Sequence, residues 1–356
     1  MSRAAVFVGE ATGGAGNRWN LVWPDLGIRA SHSAHIPRGQ GAGPCSTMMI
    51  VGAAGMDEAL GQWCQRWLGS AVSEVVFEAG SLSAVVGVRL ADDREVVVKA
   101  RRSVPRLNAA YAVHRHVWQC GYPAPEPLVP PTPLDAAQSA SAEQLVRGGE
   151  IGGRSPGDAA RSAEALAALI GIAASAGDVG SLSPSPSWVA WDHDGPGLWP
   201  GTDAGPGSLN LVAGPGWLDE AAARCRGRLR RYRAPRVIGH ADWHADNVRW
   251  SGDRLLVVHD WDSVVSQPEA VVAGIAAAIF PASGDVWQPA TIGESEQFLS
   301  AYIRASTRAW TPDDTEAFWA ASAWTLAVDA KEAVAGGSIP GLTEAETFNR
   351  LSLAGA

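Results

Sequence analysis

Behind Asp57, a residue suited to capping a helix, Leu60, Trp63, Trp67 and Leu68 recur at the spacing of an amphipathic helix. Valine-rich runs follow at residues 75–77, 84–90 and 95–99, separated by the turn residues Gly80-Ser81 and Ala91-Asp92-Asp93. β-Branched runs between such turns predict an antiparallel meander. A helical pattern over 107–119 stops at Cys120-Gly121 and the Pro123/Pro125 pair. From 130 to 157 the chain turns to Pro, Ser, Ala and Gly, the composition of a connector. Beyond it an alanine-rich helix is predicted over 158–174, a Gly/Pro/Trp-rich loop over 177–216 and a further helix over 217–231. Short strands at 248–250 and 255–259 flank the turn Ser251-Gly252-Asp253, and helices are predicted at about 268–280, 294–305 and 312–335. Phe318, Trp319, Trp324 and Leu326 give the last of these a core-facing side.

Residues 1–55 break this order. They are rich in Gly, Ser and Ala with no sustained period, which predicts a poorly structured extension, and Met56 would serve equally as a start. Val6-Phe7-Val8-Gly9 with Gly13, Gly14 and Gly16 imitates a strand entering a dinucleotide loop. That loop needs a helix behind it, and Trp19, Trp23 and Pro24 do not supply one.

A chain of 356 residues has room for two lobes. Its net charge of −9 argues against a nucleic-acid surface and is compatible with drawing in a cationic small molecule. Only Lys99 and Lys331 are lysines among 28 basic residues, so each lysine stands out. Cys45, Cys64, Cys120 and Cys225 form no C-x-x-C pair, and no stretch approaches the ~20 apolar residues of a membrane span. With no secretory signal at the start, the chain is expected in the cytoplasm, without nucleic-acid or membrane partners, as a monomer or homodimer.

The informative segment is His240-Ala241-Asp242-Trp243-His244-Ala245-Asp246-Asn247, followed by His259-Asp260-Trp261-Asp262 at the end of a hairpin. A carboxylate, an amide oxygen five residues on and a second carboxylate suit phosphoryl transfer. One Asp takes the nucleophile's proton, while Asn and the second Asp hold Mg²⁺ against nucleotide phosphates.

This segment resembles the H-G-D-x-H-x-x-N loop and D-x-D strand of the aminoglycoside phosphotransferase and choline kinase family. The resemblance implies an α+β fold of two protein-kinase-like lobes: a small antiparallel-sheet lobe over 56–136 and a larger, mostly helical one over 137–356. It also implies transfer of the γ-phosphoryl group of ATP or GTP, with Mg²⁺, to a hydroxyl or amine of a small molecule. By position, Asp242 would be the base, with His240 and His244 in the catalytic loop. Asn247 and Asp260 would hold the metal, with Asp262 beside them. Lys99, Gly80, Ser81 and Ser83 would meet the nucleotide. Glu269, Glu294, Asp313 and Asp329 would be acids available to a hydroxylated, cationic acceptor.

Three departures stand out. Ala241 replaces the family's Gly, and the turn at 80 has one glycine rather than three. No Glu lies between Val104 and Gly121, where the partner of the strand lysine is expected near Ala109 or Ala110. Two other readings compete. A metal-dependent hydrolase would use His240, Asp242 and His244 with Asp246 and His259, although Asn247 is a poor zinc ligand. A pseudokinase would explain the missing glutamate, although it has no chemical need for Asp242, Asn247 and Asp260 together.

Overall fold

The computed structural model describes residues 53–80, 83–201, 208–284, 287–338 and 341–356. The dinucleotide-like run, Cys45 and Ser81 lie outside the described residues. Helix α1, Ala53–Trp67, begins before the Asp57 cap that its pattern suggested. Leu60, Trp63, Cys64 and Leu68 pack on a sheet face built from Val86, Val88, Leu90, Val96, Val98 and Ala100.

That sheet has five antiparallel strands in the order β1-β2-β3-β5-β4. They are β1 (Val72–Gly80), β2 (Ala84–Leu90), β3 (Glu95–Arg102), β4 (Pro127–Pro133) and β5 (Gln138–Gln144). The meander is as expected, but β1 is longer than its valine run, because register shifts at Val72/Glu74 and Val75/Phe77 break its alternation. β4 and β5 lie where a connector was expected. Proline-rich β4 is an irregular edge strand, a place in a sheet where a missing N–H is tolerated. β5 pairs with β3 from Val96↔Gln144 to Arg102↔Gln138, so the sheet runs past the lobe boundary expected at 136/137.

Helix α2 (Arg106–Gln119) joins the sheet to a helical lobe of α3 (Pro156–Ala173), α4 (Gly216–Arg231), α5 (Glu269–Ile279), α6 (Ile292–Ala305), α7 (Pro312–Ala335) and α8 (Glu344–Leu353). Ser155, Thr291 and Thr311 start α3, α6 and α7 with capping boxes. Every residue of α5 from Ala270 to Ile279 is buried. Gly274 lets α5 approach α7, for a Cβ there would sit 2.2 Å from the Phe318 carbonyl oxygen. Phe318 and Trp324 of α7 are fully buried, as its pattern predicted; truncating such a ring costs about 3–5 kcal/mol.

Two small sheets flank the 240–247 segment: β7 (Arg236–His240) paired with β10 (Val264–Pro268), and β6 (Glu150–Ile151), β8 (Val248–Ser251) and β9 (Arg254–Val258) in the order β6-β8-β9. The whole is an α+β fold of two lobes, as the resemblance implied. Cys64, Cys120 and Cys225 are free thiols, and among the described residues no helix is long and apolar enough to cross a membrane.

Candidate active site

β7 ends at His240, where Ala241 N–H donates to Ser263 O at 3.0 Å and ties the start of the loop to β10. His240 is fully buried, with its Nδ1 accepting from Asp242 N–H at 3.2 Å and its Nε2 reaching the His259 carbonyl at 2.9 Å. Burial pushes its pKa down, so the neutral ring serves as one acceptor and one donor. Both nitrogens are thereby spent on backbone, leaving neither for a metal. Trp243, Trp250 and Trp261 are buried around the hairpin. The methyl group of Ala241, in place of the family's glycine, is buried in the same core.

Asn247 donates from Nδ2 to both the carbonyl oxygen and Oδ2 of Asp242, each at 2.9 Å. These bonds hold the Asp242 carboxylate in place and leave the amide oxygen as the group's acceptor. His244 Nε2 lies 3.5 Å from Asp242 Oδ1. Burial alone would lower the pKa of His244, but Asp242, Asp246 and Asp260 together outweigh it and the net shift is upward. Asp246 accepts from Gly284 N–H through Oδ2 at 2.9 Å.

Asp260 ends the hairpin at φ 58°, ψ 49°, a left-handed conformation that Asp tolerates better than most residues. Its Oδ1 accepts from Lys99 Nζ at 2.8 Å, while 43 % of its side chain stays exposed. Burial would raise its pKa, yet Lys99 and Arg101 hold it well below the usual carboxylate range. Lys99 is itself buried on β3 and makes a second ion pair, at 3.0 Å, with Glu143 Oε1 on β5. Desolvation opposes the charge on Lys99, but the two carboxylates prevail and its pKa is raised.

On the far side of Asp242, Trp287 meets His244 edge-on at 5.3 Å and donates from Nε1 to Asp329 Oδ2 at 3.2 Å. Burial, the Glu332 carboxylate and Asp242 push Asp329 up to about 7, although the Trp287 bond pulls the other way. The other acids expected on the acceptor side are spent elsewhere. Glu269 binds Tyr302, Ser306 and Arg308, Glu294 caps α6 and pairs with Arg154, and Asp313 pairs with Arg228.

The family model for the phosphotransferase enzyme family matches residues 74–318, more than half of the chain. The chain belongs to that family. It is a small-molecule kinase. Among solved structures it is similar to an amicoumacin kinase bound to AMP-PNP, Ca²⁺ and Ami, with a TM-score of 0.57 and 11 % identity over 78 % of this chain and 85 % of that one. It is also similar to a type I macrolide 2′-phosphotransferase, with a TM-score of 0.55 and 17 % identity over 87 % of this chain and 100 % of that one. At these identities the likeness concerns the fold. No curated protein matches the sequence.

In the kinase Asp242, His244 and Asn247 thus form one cluster and Lys99 with Asp260 another, and the two are joined through the backbone, where His259 N–H donates to Asn247 O at 2.9 Å. Gly80 closes β1 opposite Ala84, with Ser83 beyond it. Asp262, expected beside the metal ligands, instead turns its carboxylate to Arg101, while its carbonyl accepts from Arg106 Nη1 at 2.8 Å. The hydrolase reading fails on His240, whose nitrogens are committed; among the described residues no three His, Cys, Asp or Glu side chains are grouped to hold a metal ion. Glu143, Arg101, Arg106 and Trp287 were not singled out from the sequence. For Glu143 the available signal was the alternation Ser139-Ala140-Ser141-Ala142-Glu143, which aligns the polar residues on one strand face.

Proposed function

We propose that the kinase transfers the γ-phosphoryl group of a nucleoside triphosphate, ATP or GTP, to a hydroxyl of a small molecule that carries an ammonium group. Asp242 accepts the hydroxyl proton as the acceptor oxygen bonds to phosphorus, and the bond from phosphorus to the β–γ bridging oxygen breaks to release the diphosphate. Asn247 and His244 hold the carboxylate in place, and Lys99 meets the phosphates. Asn247 and Asp260 fit Mg²⁺: the first presents an amide oxygen, the second a partly exposed carboxylate, and this ion takes oxygen ligands while keeping waters. When bound, Mg²⁺ offsets the charge on the phosphate oxygens.

The observation that carries the reading is a doubly anchored carboxylate at Asp242 on the same hairpin as the Lys99–Asp260 pair at 2.8 Å, the two ends of that hairpin held together where His259 N–H donates to Asn247 O at 2.9 Å. The pseudokinase reading loses its motive, because Lys99 has a second carboxylate partner in Glu143. Support for a cationic acceptor comes from Asp329 and Trp287, a carboxylate and an indole beside the base, together with the net charge of −9. Nucleotide consumption measured over hydroxylated amines, amino sugars and their neutral counterparts tests the acceptor class; turnover with neutral sugars alone rejects it. Asp242→Asn should lower turnover by about 10²–10⁴-fold while nucleotide binding survives, and undiminished turnover removes Asp242 from its role.

A further inference from the structure

Lys99 lies on the face of β3 that looks toward α2, and its strand neighbours decide what can reach it. In the β3–β5 register Lys99 faces Ser141 and Val97 faces Glu143, so Glu143 is the diagonal neighbour of the lysine on that same face. The Glu143 carboxylate lies 3.0 Å from Lys99 Nζ, and the two side chains are 10 % and 8 % exposed. Burial would raise the Glu143 pKa, but Lys99 together with the neighbouring histidines outweighs it and the net shift is downward, which keeps the carboxylate charged. Helix α2 runs past the same spot without an acid. Ala110, Tyr111 and His114 line a cavity of about 40 Å³ that also touches Lys99 and Glu143, large enough for a water. His114 contributes no charge there: burial pushes its pKa to about 4, its Nε2 engages Pro125 O at 2.8 Å, and its ring stacks on Trp261 at 5.1 Å.

We infer that Glu143 of β5 is the residue that positions Lys99 for phosphate contact, in place of any acid on α2, so that the lysine is set within the sheet and does not depend on where α2 sits. A strand partner joined by backbone hydrogen bonds holds its carboxylate against β3 whatever the helix does. Helix α2 is then left with packing, the His114–Trp261 stack and the uncharged His114 ring, whose Nδ1 lies 4.0 Å from Glu143 Oε2.

The inference rests on the kinase reading, and its test separates the two. Nucleotide hydrolysis without acceptor, with water taking the phosphoryl group, and binding of the magnesium–diphosphate complex are measured for the wild-type chain, Glu143→Gln, Glu143→Asp and Ala110→Glu/Glu143→Gln, each checked by thermal melting. Absence of any nucleotide turnover in the wild-type chain defeats the functional reading. Given wild-type turnover, Glu143→Gln should lower kcat/KM for the nucleotide about tenfold or more, the equivalent of one charged contact. The relocated carboxylate at position 110 should recover part of that loss, which a purely structural role for Glu143 would not allow. Values for Glu143→Gln within twofold of wild type, or a folded double variant no better than Glu143→Gln, overturn the inference. Should Glu143→Gln fail to fold, Glu143→Asp decides: it keeps the charge but withdraws it by one methylene, and wild-type kinetics in that variant also overturn it.

Discussion

At the scale of single residues, Asp329 makes the sharpest pH prediction. Its carboxyl, ordinarily near 3.8, is pushed up to about 7 by burial, Glu332 and Asp242. It is therefore neutral at pH 6 and charged at pH 8. KM for a permanently cationic acceptor should fall as pH rises through 7, and Asp329→Asn should flatten that dependence. Stability moves the opposite way. Between the two pKa values the folded chain holds a proton that the unfolded chain has released, so folding weakens as pH rises across that window. Asp329→Asn should consequently raise the melting temperature most at pH 8 and least below pH 4. A variant that melts identically to wild type at pH 8 would contradict the assignment of a costly buried carboxylate.

At the scale of elements, what could be read from the chain depended on whether one element's own pattern contained the answer. Strand β2, helix α2, helix α7 and the loop from His240 to Asn247 carry their periods and chemistry locally, and they appear where the pattern placed them. Strands β4 and β5 did not show themselves, because proline and alternating Ser/Ala read as connector until the neighbouring strand is known. β7 and β10 pair across the catalytic loop with 23 intervening residues, from 241 to 263, so the stem that aims the loop is a non-local feature. The same limit hid Glu143: its charge is meaningful only opposite Lys99. The contact between α5 and α7 shows how little slack such non-local packing leaves. Gly274→Val would place a Cβ 2.2 Å from the Phe318 carbonyl oxygen, and overpacking of this kind costs typically about 1–3 kcal/mol. Urea unfolding should show that loss, with turnover falling as well, since α5 follows β10 directly.

At the scale of the whole molecule, the lobes are fastened to each other at the site itself. Lys99 reaches Asp260, Arg101 reaches Asp262, and Arg106 donates to the carbonyls of Asp262 and Val264 at 2.8 and 2.7 Å. The Lys99–Asp260 pair is the part of this fastening that a nucleotide must share, since both groups are assigned to the phosphates and their metal. The two arginine contacts use groups with no assigned ligand and can persist throughout. A nucleotide that bridges Lys99 and Asp260 adds a tie between lobes already held together, so it should raise one shared unfolding transition instead of splitting it. At a concentration of 100 Kd the gain is about 2.7 kcal/mol. On the proposed assignment of Asp260 to Mg²⁺, chelation with EDTA should shrink the rise in melting temperature, and Asp260→Asn should show little rise with or without the metal. Differential scanning calorimetry distinguishes the outcomes: a nucleotide shift that ignores both EDTA and Asp260→Asn would mean that Asp260 serves only as the lysine's counter-charge and that the metal is held elsewhere.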